Sequence, residues 1–366
     1  MFDRRVAANF DWTILILTMI ISLLGVVFIY SATHSISNEG IRTFYVSQMI
    51  WIGIGLACLF VTLLFDYRHI NRFAYILYFF SLVSLVLVLL VGKKASGAQR
   101  WLTLGSMTFQ VSEIAKLIFI IVLAKYFEVG RLSGKFKLID LIIPGVLTTI
   151  PFLLIAKQPD LGTSMVLVFV LFVMILLVET HQKTLFGLIG TVILFLPLSW
   201  FFLKDYQKNR LFTLIDPGVD PLGSGYHILQ SRIAIGSGGF WGKGLMSGTQ
   251  SRLHFLPEHH TDFIFSVLAE EWGFVGSCML LILYLMLIMK ALNVMSGVRE
   301  RFGMLLGLGI ISTLVFYVVF NVGMTIGLFP VVGIPLPLMS YGGSSIVSTY
   351  IAIGIILNIG MRRTIH

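Results

Sequence analysis

Residues 12–33 read WTILILTMIISLLGVVFIYSAT, a run without a charged side chain. The hydrocarbon core of a bilayer is about 30 Å thick, and a helix needs about 20 apolar residues to cross it. The whole chain shares this character, because 57% of its 366 residues are hydrophobic and only 12% are charged. Soluble domains carry about 25% charged residues. The sequence therefore predicts an all-α polytopic membrane protein and excludes a cytosolic enzyme or a disordered chain.

Nine further segments are long and apolar enough to cross a bilayer, although the fourth is weakened by Glu113 and Lys116. We find no internal repeat and no appended soluble domain. Residues 1–366 are therefore predicted to form a single transmembrane domain with one long loop, 204–262, between helices 7 and 8. The ten predicted transmembrane helices are 12–33, 44–65, 73–92, 112–128, 138–156, 161–179, 184–203, 263–290, 303–325 and 343–361.

The distribution of Lys and Arg predicts the orientation, since these residues collect in cytoplasmic loops. With the N-terminus in the cytoplasm, fourteen of them fall in cytoplasmic segments and five in the short outer loops. Lys93, Lys94 and Arg100 are the exceptions that weaken this bias. We expect both termini to be cytoplasmic and the protein to lie in the cytoplasmic (inner) membrane. The net charge of +9 then reflects topology, and we expect no nucleic-acid partner.

The unusual polar segments all fall on the outer side of this topology. They are the segments 97–101, 158–163, 204–262 and 330–345. The cytoplasmic loops are short and carry little besides Lys and Arg. We therefore expect the functional face to be extracytoplasmic.

Glu113 and Lys116 open the fourth span and share one helix face, because they are three residues apart. Opposite charges at membrane depth usually pair. One interpretation is a structural ion pair. The other is a pair that lines a cavity for a charged substrate, since ionisable groups inside a membrane are often functional.

Asp262 stands where the long loop meets the eighth span, in the segment His259-His260-Thr261-Asp262-Phe263. A carboxylate partly removed from water accepts a proton more readily, which suits a general base. The alternative is that Thr261 or Asp262 is the N-cap of the helix. Glu258, His259, His260 and Asp262 lack the spacing of a zinc site. A loosely held Mg²⁺ or Mn²⁺ that bridges to a substrate phosphate is an alternative that stays open.

Two further features of the outer side have more than one interpretation. The glycine-rich run 236–244 departs from a phosphate-binding loop, and we expect tight turns or an amphipathic segment at the membrane surface. The outer cations attract either anionic lipid head groups or a lipid-linked pyrophosphate, which Arg binds in bidentate fashion. These cations are Arg100, Lys204, Lys208, Arg210, Arg232, Lys243 and Arg252.

These motifs together resemble the SEDS family (shape, elongation, division and sporulation), and more closely its RodA-like elongation branch than its division branch. The resemblance extends over about residues 12–361. The motifs that carry it are Gly97 to Trp101, Phe109 to Lys116, Gln158 to Thr163, Asp216 to His227, Gln230 to Gly244, Leu256 to Phe265 and Pro337 to Ser344.

The resemblance implies a ten-helix peptidoglycan glycosyltransferase that polymerises lipid II on the outer face of the membrane. It also implies a class B penicillin-binding protein as partner, within a complex of elongation membrane proteins. Asp262 matches the essential aspartate of the family, and Glu113 and Lys116 match its buried ion pair. The remaining matches, which we assign to substrate binding together with that pair, are Arg100, Asp160, Gln207, Arg210, His260 and Ser340.

The expected reaction is an inverting attack of an acceptor sugar 4-hydroxyl on the donor anomeric carbon, with undecaprenyl pyrophosphate as leaving group. Asp262 is the predicted base, and the sequence requires no cofactor. Arg210, Arg100 and a bound Mg²⁺ or Mn²⁺ are the alternatives for neutralising the leaving group. Two alternatives stay open: a lipid II flippase, and a non-enzymatic scaffold of the elongation machinery. The clustering of polar motifs on one face argues against a transporter, which needs polar access from both faces.

Overall fold

Residues 9–34, 43–95, 98–104, 107–129, 135–178, 180–202, 204–221, 223–252 and 260–363 are described by the computed structural model. Helices make up 78% of the structure. Among the described residues, seven helices are long and apolar enough to cross a bilayer. The chain is therefore an all-α polytopic membrane protein, which confirms the prediction from composition.

A helix lies at each of the ten segments predicted to cross the membrane, and shorter helices lie within the long loop. The helices are α1 (Trp12–Thr33), α2 (Phe44–Leu64), α3 (Tyr67–Val91), α4 (Val111–Val129), α5 (Ile142–Lys157), α6 (Leu161–Leu177), α7 (Gln182–Phe202), α8 (Asp205–Ile215), α9 (Ser224–Gly238), α10 (Thr249–Arg252), α11 (Ile264–Ser296), α12 (Arg301–Thr325) and α13 (Gly343–Arg362).

The two largest differences between a predicted boundary and a helix end are six residues each. Helix α3 begins at Tyr67 rather than at residue 73, and α11 continues to Ser296 rather than ending at 290. The start of α3 is fixed by Asp66, whose carboxylate accepts a hydrogen bond from the Arg68 amide at 3.0 Å. Hydropathy marks only the apolar part of a helix, so a polar extension beyond it is missed.

A three-stranded antiparallel sheet, which the sequence analysis did not predict, connects α3 to α4. It consists of β1 (Lys93–Ala95), β2 (Ala98–Leu104) and β3 (Met107–Gln110), in that order. Trp101 of β2 pairs with Gln110 of β3. The sheet places Arg100 beside the start of α4, which positions it for the site described below.

Helix α11 is kinked at Gly273, which has φ +66° and ψ −158°. Helical hydrogen bonds lost at the kink are replaced from outside, because the carbonyls of Gly239 and Phe240 accept from the amides of Phe274 (2.9 Å) and Val275 (3.2 Å). A Cβ at Gly273 would lie 2.3 Å from the Gly242 nitrogen, so no other residue fits there. Gly239, Gly242 and Gly244 all have positive φ, so tight turns, one of the two predictions for the run 236–244, follow α9, which itself includes residues 236–238.

The centre of the bundle is formed by α12 and α13, whose membrane-spanning residues are mostly buried. Helix α13 packs along α2, where Gly354 approaches so closely that a Cβ would lie 3.1 Å from the Leu59 Cα. Small residues allow this close packing of helix backbones in a membrane. The loop between α12 and α13 therefore lies over the middle of the bundle.

Candidate functional site

Four polar segments that are far apart in the sequence meet at one end of the bundle. β2 contacts the turn before α6, β3 contacts the start of α13, and residues 260–262 contact the loop between α12 and α13. These are the segments that the sequence analysis placed on one side of the membrane. The structure therefore brings the predicted site residues from all four segments to the same end.

Asp160 is 2% exposed and has several hydrogen-bond donors around it. Its carboxylate accepts from the Gln110 side chain at 3.0 Å and from the Thr163 hydroxyl at 3.0 Å. It also accepts from the Thr163 amide at 3.2 Å and is the N-cap of α6. Asp160 thus fixes the start of α6 against β3, and its predicted contact with substrate stays a prediction.

Arg100 holds the turn that precedes Asp160. Its Nε donates to the Gln158 carbonyl at 3.1 Å, its Nη2 donates to the Pro159 carbonyl, and its Nη1 lies 3.9 Å from the Asp160 carboxylate. About a quarter of the side chain (24%) remains exposed. Arg100 therefore braces β2 against the turn, and a direct role in substrate binding stays a prediction.

Arg210 lies on α8 with its guanidinium 5.8 Å from the Tyr206 ring centre. Burial lowers the pKa of Arg210, Tyr206 raises it, Arg100 lowers it further and Asp262 raises it. These interactions place Arg210 within electrostatic reach of both Arg100 and Asp262.

Gln207 has internal contacts at the start of the same helix. Its side chain accepts from the Lys204 amide at 2.9 Å and donates to the Tyr206 hydroxyl at 3.2 Å. Gln207 caps the start of α8.

Asp262 belongs to a segment whose three carbonyls are each held by a different donor. The His260 carbonyl accepts from the Tyr341 amide (3.0 Å), the Thr261 carbonyl from the Ser340 hydroxyl (2.6 Å) and the Asp262 carbonyl from the Asn321 side chain (2.9 Å). We call residues 260–262 with these three donors the Asp262 clamp. Since both peptide groups that flank the Asp262 Cα are held, the direction of its Cα–Cβ bond is fixed as well.

Asp262 does not lie at the N-cap position of α11, and its carboxylate lies beside Gly333. Helix α11 begins at Ile264 and its N-cap is Phe263, so the alternative that Thr261 or Asp262 is the N-cap is wrong. The half-buried Asp262 lies against Gly333, where a Cβ would lie 3.3 Å from Asp262 Oδ2. Gly333 has φ +72°, and its missing side chain leaves room for the carboxylate.

His260 and Ser340 belong to the same clamp and have mainly internal contacts. The His260 ring lies 5.0 Å from the Phe44 ring and 6.0 Å from the Tyr341 ring. The Ser340 hydroxyl accepts from the Leu336 amide at 2.7 Å while it donates to Thr261. Both residues position the segment that carries Asp262, and their predicted contacts with substrate stay predictions.

Glu113 and Lys116 form a buried ion pair at 2.9 Å. Two residues that the sequence analysis did not single out complete it: Ser348 donates to Glu113 at 2.6 Å, and Tyr317 accepts from Lys116 at 2.9 Å. The cavity beside Lys116 has a volume of about 20 Å³, which holds about one water molecule. In this structure the pair therefore connects α4 to α12 and α13, and its predicted role in substrate binding stays a prediction.

Lys243 and Glu270 form a second ion pair, at 2.7 Å, that the sequence analysis missed. Glu270 is fully buried and also accepts from the Thr249 amide (2.8 Å) and hydroxyl (3.0 Å). The pair ties the glycine-rich turns to the kink of α11. The signal was present in the sequence, because Glu270 and Glu271 are charges inside an apolar span.

The divalent cation stays a prediction. No group of three His, Cys, Asp or Glu side chains in these ranges is close enough together to hold a metal ion. Glu258 and His259, which the sequence analysis considered, lie outside the described residues.

The chain is similar over residues 11–365 to the family described as cell cycle protein, whose name joins FtsW, RodA and SpoVE. It is 43% identical to the peptidoglycan glycosyltransferase MrdB of Escherichia coli, a match that covers 94% of this chain and 93% of MrdB. It is 32% identical to the peptidoglycan glycosyltransferase RodA of Treponema pallidum, with coverage of 98% and 99%.

Solved structures show the same fold at similar identity. One, described as structural coordination of polymerization and crosslinking by a peptidoglycan synthase complex, has a TM-score of 0.83 at 34% identity and covers 97% of this chain and 98% of its own. The rod shape determining protein RodA of Thermus thermophilus has a TM-score of 0.72 at 31% identity, with coverage of 97% and 98%.

Proposed function

The chain belongs to the FtsW, RodA and SpoVE family of cell cycle proteins, and from this premise we propose that it polymerises lipid II with Asp262 as general base. It is a peptidoglycan glycosyltransferase of cell elongation. The observation that carries the proposed mechanism is the Asp262 clamp, which holds the backbone of one acidic residue within electrostatic reach of a half-buried arginine, Arg210.

We propose a topology of ten membrane spans with both termini in the cytoplasm. The excess of Lys and Arg in the segments assigned to the cytoplasm supports it. In this orientation Asp262, Asp160 and Arg210 face the outside of the inner membrane. Lipid II presented in the outer leaflet reaches them without crossing the bilayer.

In the proposed reaction, the Asp262 carboxylate removes the proton of the acceptor sugar 4-hydroxyl. The oxygen then forms a bond to the anomeric carbon of the donor while the bond from that carbon to the pyrophosphate oxygen breaks, with inversion. The electron pair leaves with undecaprenyl pyrophosphate, and Asp262 releases its proton to solvent. A base works best when it is held within hydrogen-bond reach of the proton that it removes, and the clamp holds the backbone that carries this carboxylate.

The leaving group needs positive charge rather than a proton donor, because pyrophosphate is already a weak base. Arg210 interacts electrostatically with Asp262, and we assign it to the pyrophosphate. Arg100 already donates to two carbonyls, and we assign it to holding the site together. A bound Mg²⁺ or Mn²⁺, which would supply further positive charge to the pyrophosphate, is an additional proposal. Loss of activity in EDTA and its return with either ion would support it.

We propose a class B penicillin-binding protein as partner. The similarity to a peptidoglycan synthase complex described by polymerization and crosslinking supports this assignment, because a glycan strand needs a second activity to be cross-linked. The other elongation membrane proteins remain proposed partners on the family resemblance alone.

The test is glycan synthesis from labelled lipid II in detergent by the purified full-length chain, with and without a class B penicillin-binding protein. We expect a ladder of glycan products that disappears in Asp262→Asn and persists in Asp205→Asn, an exposed acid of the same loop. No ladder from folded protein with its partner bound would contradict polymerisation and favour transport of lipid II or a scaffold role. A full ladder from Asp262→Asn would contradict the assignment of the base alone.

A further inference from the structure

Asn321 lies on α12, about one turn before the end of the helix, and its side chain is fully buried. Its amide nitrogen donates to the Asp262 carbonyl at 2.9 Å and to the Ile334 carbonyl at 2.6 Å. Both hydrogens of one amide are thus used. An amide oxygen in the same place would be repelled by two carbonyl oxygens, so these partners also define the orientation of the side chain.

These two hydrogen bonds hold the two backbones that flank the Asp262 carboxylate. One carbonyl is that of Asp262 itself. The other is that of Ile334, the residue after Gly333, whose positive φ and missing side chain leave space for Asp262 Oδ2. Asn321 therefore sets the distance between the carboxylate and the turn that accommodates it.

The side chain carries a cost as well as a benefit. Asn321 Oδ1 is buried and has no hydrogen-bond partner among the described residues. An unpaired buried acceptor is unfavourable, whereas an apolar side chain at this position would instead leave the carbonyls of Asp262 and Ile334 without the Asn321 donor. The benefit that offsets this cost lies in the two carbonyls that the amide nitrogen holds.

We propose that Asn321 is a positioning residue for the glycosyl transfer, which acts by holding the Asp262 backbone and the Gly333–Ile334 turn in register. The inference rests on the proposed role of Asp262 as base. Asn321 does not touch substrate in this account, so it affects the rate of the chemical step and leaves the binding of lipid II largely unchanged.

The test compares kcat and KM for lipid II in the wild type and in Asn321→Leu, which has a similar size and no donor. We expect kcat per folded molecule to fall about 10–100-fold, the effect of misplacing a catalytic group by about 1 Å, with KM changed less than about twofold. If the leucine variant does not fold, Asn321→Ala removes the same donors without crowding the carbonyls. The matched control is Thr325→Val on the same helix, whose buried hydroxyl donates to the Val322 carbonyl within α12 at 2.7 Å, and it should keep the wild-type kcat.

If Asn321 contributed only to stability, the melting temperature or the yield of the variant would fall while kcat per folded molecule stayed at the wild-type value. That result would overturn the inference. It is also overturned if the loss appears in KM with kcat unchanged, because Asn321 would then act on binding.

A double variant separates this inference from the proposed function. In the Asp262→Asn background, Asn321→Leu should cause no further loss, since no base remains to be misplaced. A full additional loss would show that Asn321 acts elsewhere. An active Asp262→Asn enzyme would instead contradict the proposed base, whereas an inactive one with a fully active Asn321→Leu enzyme would contradict only the role of Asn321.

Discussion

The ion pair between Glu113 and Lys116 allows a quantitative prediction about stability. Glu113 is 2% exposed and accepts from Lys116 and Ser348. Lys116→Met leaves this carboxylate buried without its cation, and breaking a buried pair in this way costs about 3–5 kcal/mol. With an unfolding entropy of about 2.1 cal/mol/K per residue, this corresponds to a fall of about 4–7 °C in the melting temperature for 366 residues.

The double variant Glu113→Gln with Lys116→Met should recover most of this loss. No buried charge remains, and the glutamine still accepts from Ser348, so the cost falls to that of lost hydrogen bonds, about 1–2 kcal/mol. That amounts to about 1–3 °C. Thermal scans in detergent at one fixed scan rate make the comparison, because unfolding of such proteins is often irreversible.

Lys125→Met is the matched control, since this lysine on the same helix donates to a backbone carbonyl, that of Asn71, at 2.7 Å. It should change the melting temperature by less than about 2 °C. The argument would be refuted if the double variant melted at or below the melting temperature of the less stable single variant, Lys116→Met or Glu113→Gln. The two buried charges would then not be compensating one another.

Three further predictions concern other contacts of the site. Arg100→Lys replaces a fork that holds the carbonyls of residues 158 and 159 with a single ammonium, and glycan synthesis should fall at least about tenfold; a wild-type rate would contradict this. Burial lowers the pKa of Arg210, and lysine starts from a pKa of about 10.4. Arg210→Lys should therefore be active near neutral pH and lose its charge and activity as the pH rises, well before the wild type does; parallel pH–rate profiles would contradict it. Gly273→Ala places a Cβ against the Gly242 nitrogen and should lower the melting temperature by at least about 3 °C, whereas Gly145→Ala, in open space within α5, should not lower it.

The positions of the long helices could be predicted because a bilayer leaves the backbone no alternative. Every polar group of the backbone must be paired within the membrane, so a long apolar run such as 12–33 becomes a helix. The ends of the helices depended on single polar residues instead. Asp66 caps α3 outside its apolar stretch, and hydropathy carries no information about such a cap.

The candidate site was predictable in its residues and not in its contacts. Asp262, Glu113 and Lys116 stand out because charges in or beside apolar spans are rare. Asn321, Tyr317 and the short strands from Lys93 to Gln110 gave no such signal. Their roles depend on partners that are 59 residues away for Asn321 and 201 for Tyr317, and a single sequence does not specify contacts at that separation.

Three of the residues that the sequence selected have internal contacts in the structure, and their predicted contacts with substrate stay predictions. Gln207 caps α8, Ser340 holds the Thr261 carbonyl, and Arg100 holds the turn before Asp160. Each of these side chains supports a neighbouring group through internal hydrogen bonds. Much of the polar character of this end of the bundle therefore serves to fix the position of Asp262 and Asp160.

The central claim is that Asp262 takes part in the chemical step rather than in holding lipid II. The most direct measurement is the initial rate of glycan synthesis by purified Asp262→Asn at saturating lipid II, combined with the lipid II affinity of the same preparation. The backbone contacts of the clamp do not involve the carboxylate, so the variant should fold and bind lipid II within about threefold of the wild type. Its rate should fall by at least about 100-fold, the effect of losing a general base. A rate within threefold of the wild type, or a loss of binding that accounts for the whole loss of rate, would contradict the claim.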